Sequence, residues 1–461
     1  MNPSTAAATV IVDELIRNGV THFVLSPGSR NAPLSVAIFA AAKSGRATLH
    51  VRIDERSAGF LALGLSKGMG YGPRRGGRAA IVCTSGTAVA NLHPAVLEAV
   101  HSGEPLVLLT ADRPAELVGS GANQTTVQSG VFGPQVSTVD FPIAERRAGQ
   151  NATWRGILCR VLIDGADKPV HLNVPFREPL LPDSDVAGKP DLDAAGDAAE
   201  GADALRDWPE SLAGREGGVP WTRWRQTLAT DTAGGAATDA GGDSGGVELL
   251  RELPARTLVI VGDAPWSAAS AAGEVARRMD WPLLVEPPGV GPRHALSGAS
   301  LMINAVTELP DGLKPDAVLV VGRPTLSRGT GRLLRSVSRV HLVCTPRHWA
   351  DAQYVASSAV PYLGVAAVHH LAADGAIDEH TDAQWTASWR KANASVADAV
   401  RCWLADQPWP TGATVARDLL AALPSRAVLF MGSSNAIRDI DLVAERRGDL
   451  IVLANRGLAG I

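Results

Sequence analysis

The residues best suited to chemistry in this sequence are Asp54, Glu55 and Arg56, three charged side chains between two apolar segments. A buried charge without a partner is costly, unless its pKa shifts until the group is neutral. One interpretation is structural: Asp54 caps a helix, and Glu55 faces the positive end of the helix dipole. The other is a functional carboxylate in an apolar site. These residues alone leave both interpretations open.

Arginines form a second set of candidates, because four of them stand near the ends of predicted strands. An arginine at a helix N-terminus opposes the helix dipole, so it is either solvated or holds an anion beside the helix amides. Each one alone is more often solvated or structural, but together they predict a substrate with several carboxylates. They are Arg30, Arg113, Arg438 and Arg456. The amides in "GANQ", Asn123 and Gln124, offer neutral donors and acceptors for the same purpose.

The elements that position these residues follow an α/β pattern. From residue 20 to about 176, short β-branched runs alternate with helical patterns. Apolar runs without clean alternation are typical of parallel strands buried on both faces. In such sheets, ligands bind beyond the carboxyl ends of the strands. We therefore expect the loops "SPGSRN", "DER", "TSGT" and "DRP" at one edge, which favours a functional role for Glu55.

The chain divides into three α/β blocks by composition. The first covers residues 1–181, and a stretch rich in Gly, Ala and Asp follows at 182–246. That stretch predicts a linker, with some disorder around a short ordered patch near Trp221 and Trp224. A central block covers 247–378, and a third begins at 379 and runs to 461.

Bulk composition excludes several classes of protein. The 461 residues are 46% hydrophobic and 20% charged, with a net charge of −4, so we expect no nucleic-acid or membrane surface. No apolar run approaches the ~18 residues that span a bilayer, and the N-terminus predicts an amphipathic helix, not a signal peptide. The cysteines are scattered and form no CxxC pair, which argues against zinc or disulfides and fits the reducing cytoplasm. They are Cys83, Cys159, Cys344 and Cys402.

Eight motifs together identify a family. They are "LSPGSRNAPL", "HVRIDERSAGF", "TSGTAVANL", "TADRPAEL", "GANQTT", "HLNVPFREPL", "SSNAIRD" and "NRGLAGI". This set resembles the 2-succinyl-5-enolpyruvyl-6-hydroxy-3-cyclohexene-1-carboxylate synthases, thiamine diphosphate enzymes of menaquinone biosynthesis. The resemblance covers the first block nearly end to end and the start of the third, whereas the linker and central block match only in layout. "DER" or "TSGTA" alone indicates only thiamine enzymes in general.

The resemblance implies three α/β domains, of which the first grips the aminopyrimidine of the cofactor and the third its diphosphate. It implies decarboxylation of 2-oxoglutarate and addition of the succinyl semialdehyde unit to isochorismate. Glu55 stands where the family has its essential carboxylate, which favours the imino tautomer that removes the thiazolium proton. The resemblance also implies a homo-oligomer, in which Glu55 acts on a cofactor held by another copy. Two alternatives stay open: a different thiamine-dependent lyase, such as an acetolactate-synthase-like enzyme, and an inactive truncated homologue.

The same resemblance assigns further site residues. The substrate-binding positions are Ser29, Arg30, Arg113, Asn123, Gln124, Arg438 and Arg456, with Arg328 in place of a basic residue from the family's middle domain. The cofactor-binding positions are Pro27, Gly28, Glu55, Ser85, Gly86, Thr87 and Ile461.

The metal ligands of thiamine enzymes are missing from the sequence. The family holds Mg²⁺ or Mn²⁺ with a GD[GS] turn, followed about two dozen residues later by Asn, whose oxygens suit such a cation. Asp263 is followed too late by Asn304, and Asp449 only by Asn455. In the family this motif lies beyond "NRG-x-x-GI", where the sequence stops. We therefore expect a chain without most of its third domain. Such a chain should bind the cofactor weakly or not at all, should not turn over, and should expose the apolar faces of its last strands.

Overall fold

The computed structural model describes residues 1–71, 77–182, 208–223, 244–287, 292, 294–344, 348–373, 377–443 and 447–458. The chain forms two compact units, one built mainly from Met1–Gly70 and Arg74–Gln226 and the other mainly from Thr227–Gly460. Most of the predicted linker lies outside the described residues, as does Trp224. Its described part, 208–223, belongs to the first unit. The predicted boundaries at 181 and 378 stay predictions.

The first unit contains a six-stranded, wholly parallel sheet of order β2-β1-β3-β4-β6-β5. Its strands are β1 Val20–Leu25, β2 Thr48–Val51, β3 Arg78–Cys83, β4 Leu106–Asp112, β5 Ser137–Asp140 and β6 Val170–Pro175. Its helices are Pro3–Arg17, Ala32–Lys43, Glu55–Met69, Thr87–Asn91, His93–Ser102 and Gln150–Asp164. The predicted parallel α/β class is confirmed.

Both faces of this sheet are buried, as the unbroken apolar runs predict. Phe23 and Leu25 point into one cluster of buried side chains, while Val24 between them points into the other. Two details differ from the sequence prediction. Strand β5 was not predicted, because "STVD" is short and polar. The segment after β4 forms only a 3₁₀ turn, Ala115–Leu117, where a helix was expected.

The second unit contains a parallel five-stranded sheet of order β11-β10-β9-β7-β8 and a parallel pair, β12-β13. The strands are β7 Thr257–Val261, β8 Leu283–Val285, β9 Ala317–Val321, β10 Val340–Val343, β11 Ser358–Val360, β12 Val428–Met431 and β13 Ile451–Ala454. The helices are Ser244–Glu252, Trp266–Arg278, Ala299–Ala305, Arg328–Ser336, Val365–Ala373, Ala383–Ala405, Gly412–Ala422 and Asn435–Val443.

The helix Ala383–Ala405 packs on the five-stranded sheet. Trp385 and Trp389 are buried in the same apolar cluster as Leu258 of β7, so the helix that opens the predicted third block completes the core of the central one. On β12, Val428 is 61% exposed and Phe430 51% exposed, as expected for the last strands. Across the described ranges, no helix is long and apolar enough to cross a membrane.

Candidate active site

The two carboxylates at the start of helix Glu55–Met69 have different roles. Asp54 is the N-cap, because its Oδ1 accepts the Ser57 N–H at 2.7 Å, and this hydrogen bond lowers the pKa of Asp54. Glu55 is the first helical residue and half-buried, and its carboxylate makes no hydrogen bond or ion pair within the described part of the chain. Burial, together with the charge of Glu55, raises the pKa of Cys83 at the end of β3. The capping role therefore belongs to Asp54, and the Glu55 carboxylate stays available near the sheet edge.

The loop after β1 packs directly on the loop after β3. The Ser26 N–H donates to the Val82 carbonyl at 2.8 Å, and Asn31 Nδ2 donates to the Ser26 carbonyl at 2.9 Å. A Cβ added to Gly28 would lie 2.5 Å from Thr84 Cβ, so only glycine permits this approach. Strand β1 lies between β2 and β3, which makes this the point where strand order reverses. Ligands of open α/β sheets bind in such a crevice.

The loop after β3 is held by the segment around Gln124. Ser85 Oγ donates to the Gln124 carbonyl, and Gln124 Nε2 donates to the Ser85 carbonyl, both at 2.9 Å. Gly86 has φ +80°, and its N–H donates to Gln128 Oε1 at 2.9 Å. The structure thus brings three predicted site residues, Ser85, Gly86 and Gln124, into one cluster, and the amide nitrogen of Gln124 is engaged by the protein.

Two predicted arginines meet at the same edge. Arg113 Nη1 donates to the Gln124 carbonyl at 3.0 Å, and Arg30 Nη1 donates to the Phe176 carbonyl at 2.9 Å. Burial and the positive charge of Arg30 both lower the pKa of Arg113, so the two guanidinium groups repel one another. The Nε of Arg30 is buried and has no hydrogen-bond partner in the described structure. An anion placed here would relieve the repulsion and supply the missing acceptor.

The other predicted residues of the first unit lie on these loops. Four of them are exposed, and the contacts of the described residues do not define their roles further. They are Pro27, Ser29, Thr87 and Asn123. Ile461 lies outside the described residues.

In the second unit, Arg456 is buried and bound to the protein itself. Its guanidinium donates to Thr325 Oγ1 at 3.0 Å, to the Thr325 carbonyl at 2.7 Å and to the Ser433 carbonyl at 3.2 Å. Burial lowers its pKa, and the nearby charge of Arg438 acts in the same direction. Arg438 and Arg328 are exposed, each within a helix. Arg456 therefore links two loops, and its contact with substrate stays a prediction.

Sequence analysis missed Glu286, the buried carboxylate that organises these loops. It directly follows β8, and its carboxylate accepts the N–H groups of Thr325, Leu326 and Ser327 at 2.8, 2.9 and 3.2 Å. Burial raises the pKa of Glu286, against the effect of these hydrogen bonds. The signal was present, because "LLVEP" places a carboxylate after a buried strand, much as "LHVRIDE" does.

The residues fit the two parts of a thiamine cofactor unequally. Glu55 offers an uncommitted carboxylate acceptor beside the crevice of the first unit, which suits a nitrogen heterocycle. For a metal, the described ranges contain no group of three or more His, Cys, Asp or Glu side chains placed to hold one. Asp449 is engaged by Arg447 through both carboxylate oxygens, at 2.8 and 2.7 Å. The described residues therefore suit the aminopyrimidine but not the cation.

Comparison with known proteins defines the class first. Residues 5–131 match the family model described as "Thiamine pyrophosphate enzyme, N-terminal TPP binding domain". This range includes Glu55, Ser85, Gly86 and both clustered arginines. Together with the parallel α/β fold, it makes the chain a thiamine diphosphate-dependent enzyme.

The particular family follows from curated relatives named 2-succinyl-5-enolpyruvyl-6-hydroxy-3-cyclohexene-1-carboxylate synthase. The chain is 42% identical to the protein of Saccharopolyspora erythraea, 41% to that of Kineococcus radiotolerans and 39% to that of Rhodococcus jostii. Each alignment covers 100% of this chain and 74% of the relative. The chain belongs to the 2-succinyl-5-enolpyruvyl-6-hydroxy-3-cyclohexene-1-carboxylate synthase family.

Proposed function

We propose that this protein is a carboligase that decarboxylates 2-oxoglutarate and adds the succinyl semialdehyde unit to isochorismate, as a step of menaquinone biosynthesis. The observation that carries the proposal is the 39–42% identity along the whole chain to relatives of that name. The site supports it, because paired guanidinium groups suit substrates with several carboxylates better than a monoacid such as pyruvate.

The proposed cofactor is thiamine diphosphate with Mg²⁺ or Mn²⁺. When bound, it supplies the carbanion chemistry that makes a 2-oxo acid lose its carboxylate. Glu55 would bind the aminopyrimidine ring and hold a proton there, in surroundings where partial burial strengthens the hydrogen bond. The loop residues Pro27, Gly28, Ser85, Gly86 and Thr87, and the apolar side chain of Ile461, would line its site. No role in metal binding is assigned to the described residues.

Substrate binding is proposed for two groups of side chains. Arg30 and Arg113 would bind carboxylates at the edge of the first sheet, with Ser29, Asn123 and Gln124 as neutral partners. Arg328, Arg438 and Arg456 are the proposed contacts from the second unit. We further propose a cytoplasmic enzyme that is at least a homodimer, which light scattering at micromolar concentration would test. A mass corresponding to one chain would contradict the dimer.

The activity test uses the 461-residue chain with thiamine diphosphate and Mg²⁺. The proposed activity requires that calorimetric titration shows cofactor binding and that carbon dioxide is released faster from 2-oxoglutarate than from pyruvate. A preference for pyruvate would refute the substrate assignment and indicate an acetolactate-synthase-like enzyme. Absence of both binding and turnover would instead support an inactive homologue.

The role of Glu55 has its own test. Glu55→Gln should stop exchange of the cofactor's C2 proton, followed by NMR, while circular dichroism shows an intact fold. The matched control is Asp54→Asn, which changes the neighbouring cap and should leave exchange near the wild-type rate. Unchanged exchange in Glu55→Gln would exclude the proton relay.

A further inference from the structure

A buried polar network connects the interior of the first sheet to the candidate site. It starts at His171 on β6, which is fully buried, and reaches the Gly86 N–H through buried side chains. Strands packed between apolar layers seldom carry so many polar side chains, and a buried network must satisfy all its members. The buried members are Thr110, Asp112, Gln128, His171 and Asn173. They also bond to the half-buried Thr138 and to the exposed Asp140.

Asn173 is the centre of this network. Its Oδ1 accepts hydrogen bonds from Gln128 Nε2 at 2.8 Å and from the Thr110 hydroxyl at 3.2 Å. Its Nδ2 donates to Asp112 Oδ2 and to Asp140 Oδ1, both at 2.9 Å. All of its hydrogen-bonding capacity is thus used, and its amide orientation is fixed by the neighbours.

The hydrogen bonds run in one consistent direction. Because the Thr110 hydroxyl donates to Asn173, its oxygen accepts from His171 Nε2, 2.7 Å away. His171 Nδ1 then accepts from the Thr138 hydroxyl at 3.3 Å. Burial lowers the pKa of His171 to about 4, so the ring is neutral at physiological pH. Each donor in this series has an acceptor, so the direction in which the hydrogen bonds are donated is fixed.

Two branches of the network end on predicted site residues. In the first, Gln128 Oε1 accepts the Gly86 N–H at 2.9 Å, which holds the glycine at its positive φ. In the second, Asp112 Oδ1 accepts the Arg113 N–H at 2.7 Å. Neither Gln128, 1% exposed, nor Asn173, 5% exposed, reaches the surface of the site.

We propose that Gln128 and Asn173 are positioning residues, which set the Gly86 loop and the Arg113 backbone in the geometry that receives the cofactor and an anionic substrate. The side-chain amide of Gln128 connects the loop to the network, because its oxygen accepts the Gly86 N–H and its nitrogen donates to Asn173. The role toward the cofactor rests on the proposed function, whereas the placement of the loop does not.

The test replaces Gln128 with Glu, which has the same shape. An ionised carboxylate still accepts the Gly86 N–H, but it cannot donate to Asn173 or to the Ala111 carbonyl 3.3 Å away, and it adds a negative charge. A protonated carboxyl has one donor and one acceptor, so low pH should restore the connection between Gly86 and Asn173. The charged or titratable groups around this position are Asp112, Asp140, Arg113 and His171. The matched control is Gln150→Glu, since Gln150 is 2% exposed in the same unit and bonds to Glu145 N and the Ile143 carbonyl.

The readout is hydrogen exchange of the segment 84–92 in the apo protein, corrected for the intrinsic pH dependence. In Gln128→Glu we expect roughly tenfold lower protection at about pH 8, because the side chain that accepts the Gly86 N–H is no longer held by Asn173, and recovery near pH 5.5. The control should lose protection only around residues 143–151. Wild-type protection of 84–92 in Gln128→Glu at both pH values would overturn the proposal.

A second variant covers the case in which Gln128→Glu does not fold. Gln128→Met keeps the volume, adds no charge and removes all three hydrogen bonds of the Gln128 side chain. It should therefore show at least the same loss at both pH values, with no recovery. Calorimetry with thiamine diphosphate and Mg²⁺ should then show about tenfold weaker binding for either Gln128 variant than for the control. If the wild-type chain does not bind the cofactor, the proposed function fails, and hydrogen exchange still decides the positioning role.

Discussion

The buried ion pair of the first unit gives the sharpest stability prediction. The Arg155 side chain is 1% exposed, and its Nη1 lies 2.6 Å from Glu14 Oε2, a carboxylate with no solvent exposure. The same guanidinium donates to Asn151 Oδ1 at 2.9 Å and to the Leu212 carbonyl at 2.8 Å. Arg155→Met would remove all these donors at once and leave Glu14 buried with its charge.

The expected cost is roughly 3–5 kcal/mol, because removing one member of a buried pair leaves an uncompensated charge. Glu14 keeps the Trp221 N–H at 2.7 Å and Asn18 Nδ2 at 3.0 Å, so we expect the lower half of that range. In the double variant Glu14→Leu/Arg155→Met neither charge of this buried pair remains, and its loss of stability should be smaller than the sum of the single losses.

The assay is urea unfolding followed by tryptophan fluorescence, with the free energy taken from midpoint and slope. Arg155 Nη1 also lies 2.9 Å from Asp13 Oδ2. Arg46→Met is the matched control, because Arg46 pairs with the same Asp13 at 2.5 Å but its side chain is 47% exposed. Exposed pairs contribute about 0–1 kcal/mol. If Arg155→Met costs no more than Arg46→Met, the reasoning from burial is wrong.

Three further variants test other features. Asp54→Ala removes the cap on Ser57 N and should lower the free energy of unfolding, measured by heat or urea, by about 1 kcal/mol. Wild-type stability of this variant would contradict the capping role. Gly86→Ala should cost roughly 1–3 kcal/mol, because φ is +80° and the new Cβ would lie 2.9 Å from Gln124 Cγ; tolerance of alanine would contradict that geometry. Burial opposes ionisation of Asp13, but its arginine partners outweigh this and hold its pKa below 3.8. The stabilisation that ionised Asp13 gives the folded state is therefore present above pH 3.8 and is lost as pH falls through the folded-state pKa. The difference in unfolding free energy between wild type and Asp13→Asn should therefore shrink in acid.

Much of the fold could be predicted, because buried parallel strands have a strong local signature. The apolar runs that contain Phe23 and Leu108 indicate their strands without knowledge of the rest of the chain. Strand β5 has no such signature, since its pairing with β6 decides its conformation. An ordered patch was expected near Trp221, but composition gave no sign that order begins at residue 208. The segment 208–223 packs on the first unit through contacts such as Glu210 with the N–H groups of Gln150 and Asn151.

The candidate site likewise contains residues that could be predicted from the sequence and residues that could not. Glu55 and the arginines could be predicted because a charged residue that follows an apolar strand can be recognised from the linear sequence. The roles of Gln128 and Asn173 could not, because they depend on the pairing of β4 with β6 and on a loop that returns to it. The burial of Arg456 likewise depends on contacts with residue 325, 131 positions earlier.

The link between Glu14 and the Trp221 N–H spans 207 positions and has a consequence for synthesis on the ribosome. The N-terminal helix emerges first, yet one of the backbone donors to its buried carboxylate is among the last residues of the unit to emerge. Until then Arg155 also lacks the Leu212 carbonyl. The described α-helices and strands of the unit end at Pro175, so the nascent unit can close its sheet before the segment 208–223 packs on it. In that interval Arg155 and Glu14 each lack one backbone partner, and the second of these, the Trp221 N–H, is available only after residue 221 has left the exit tunnel.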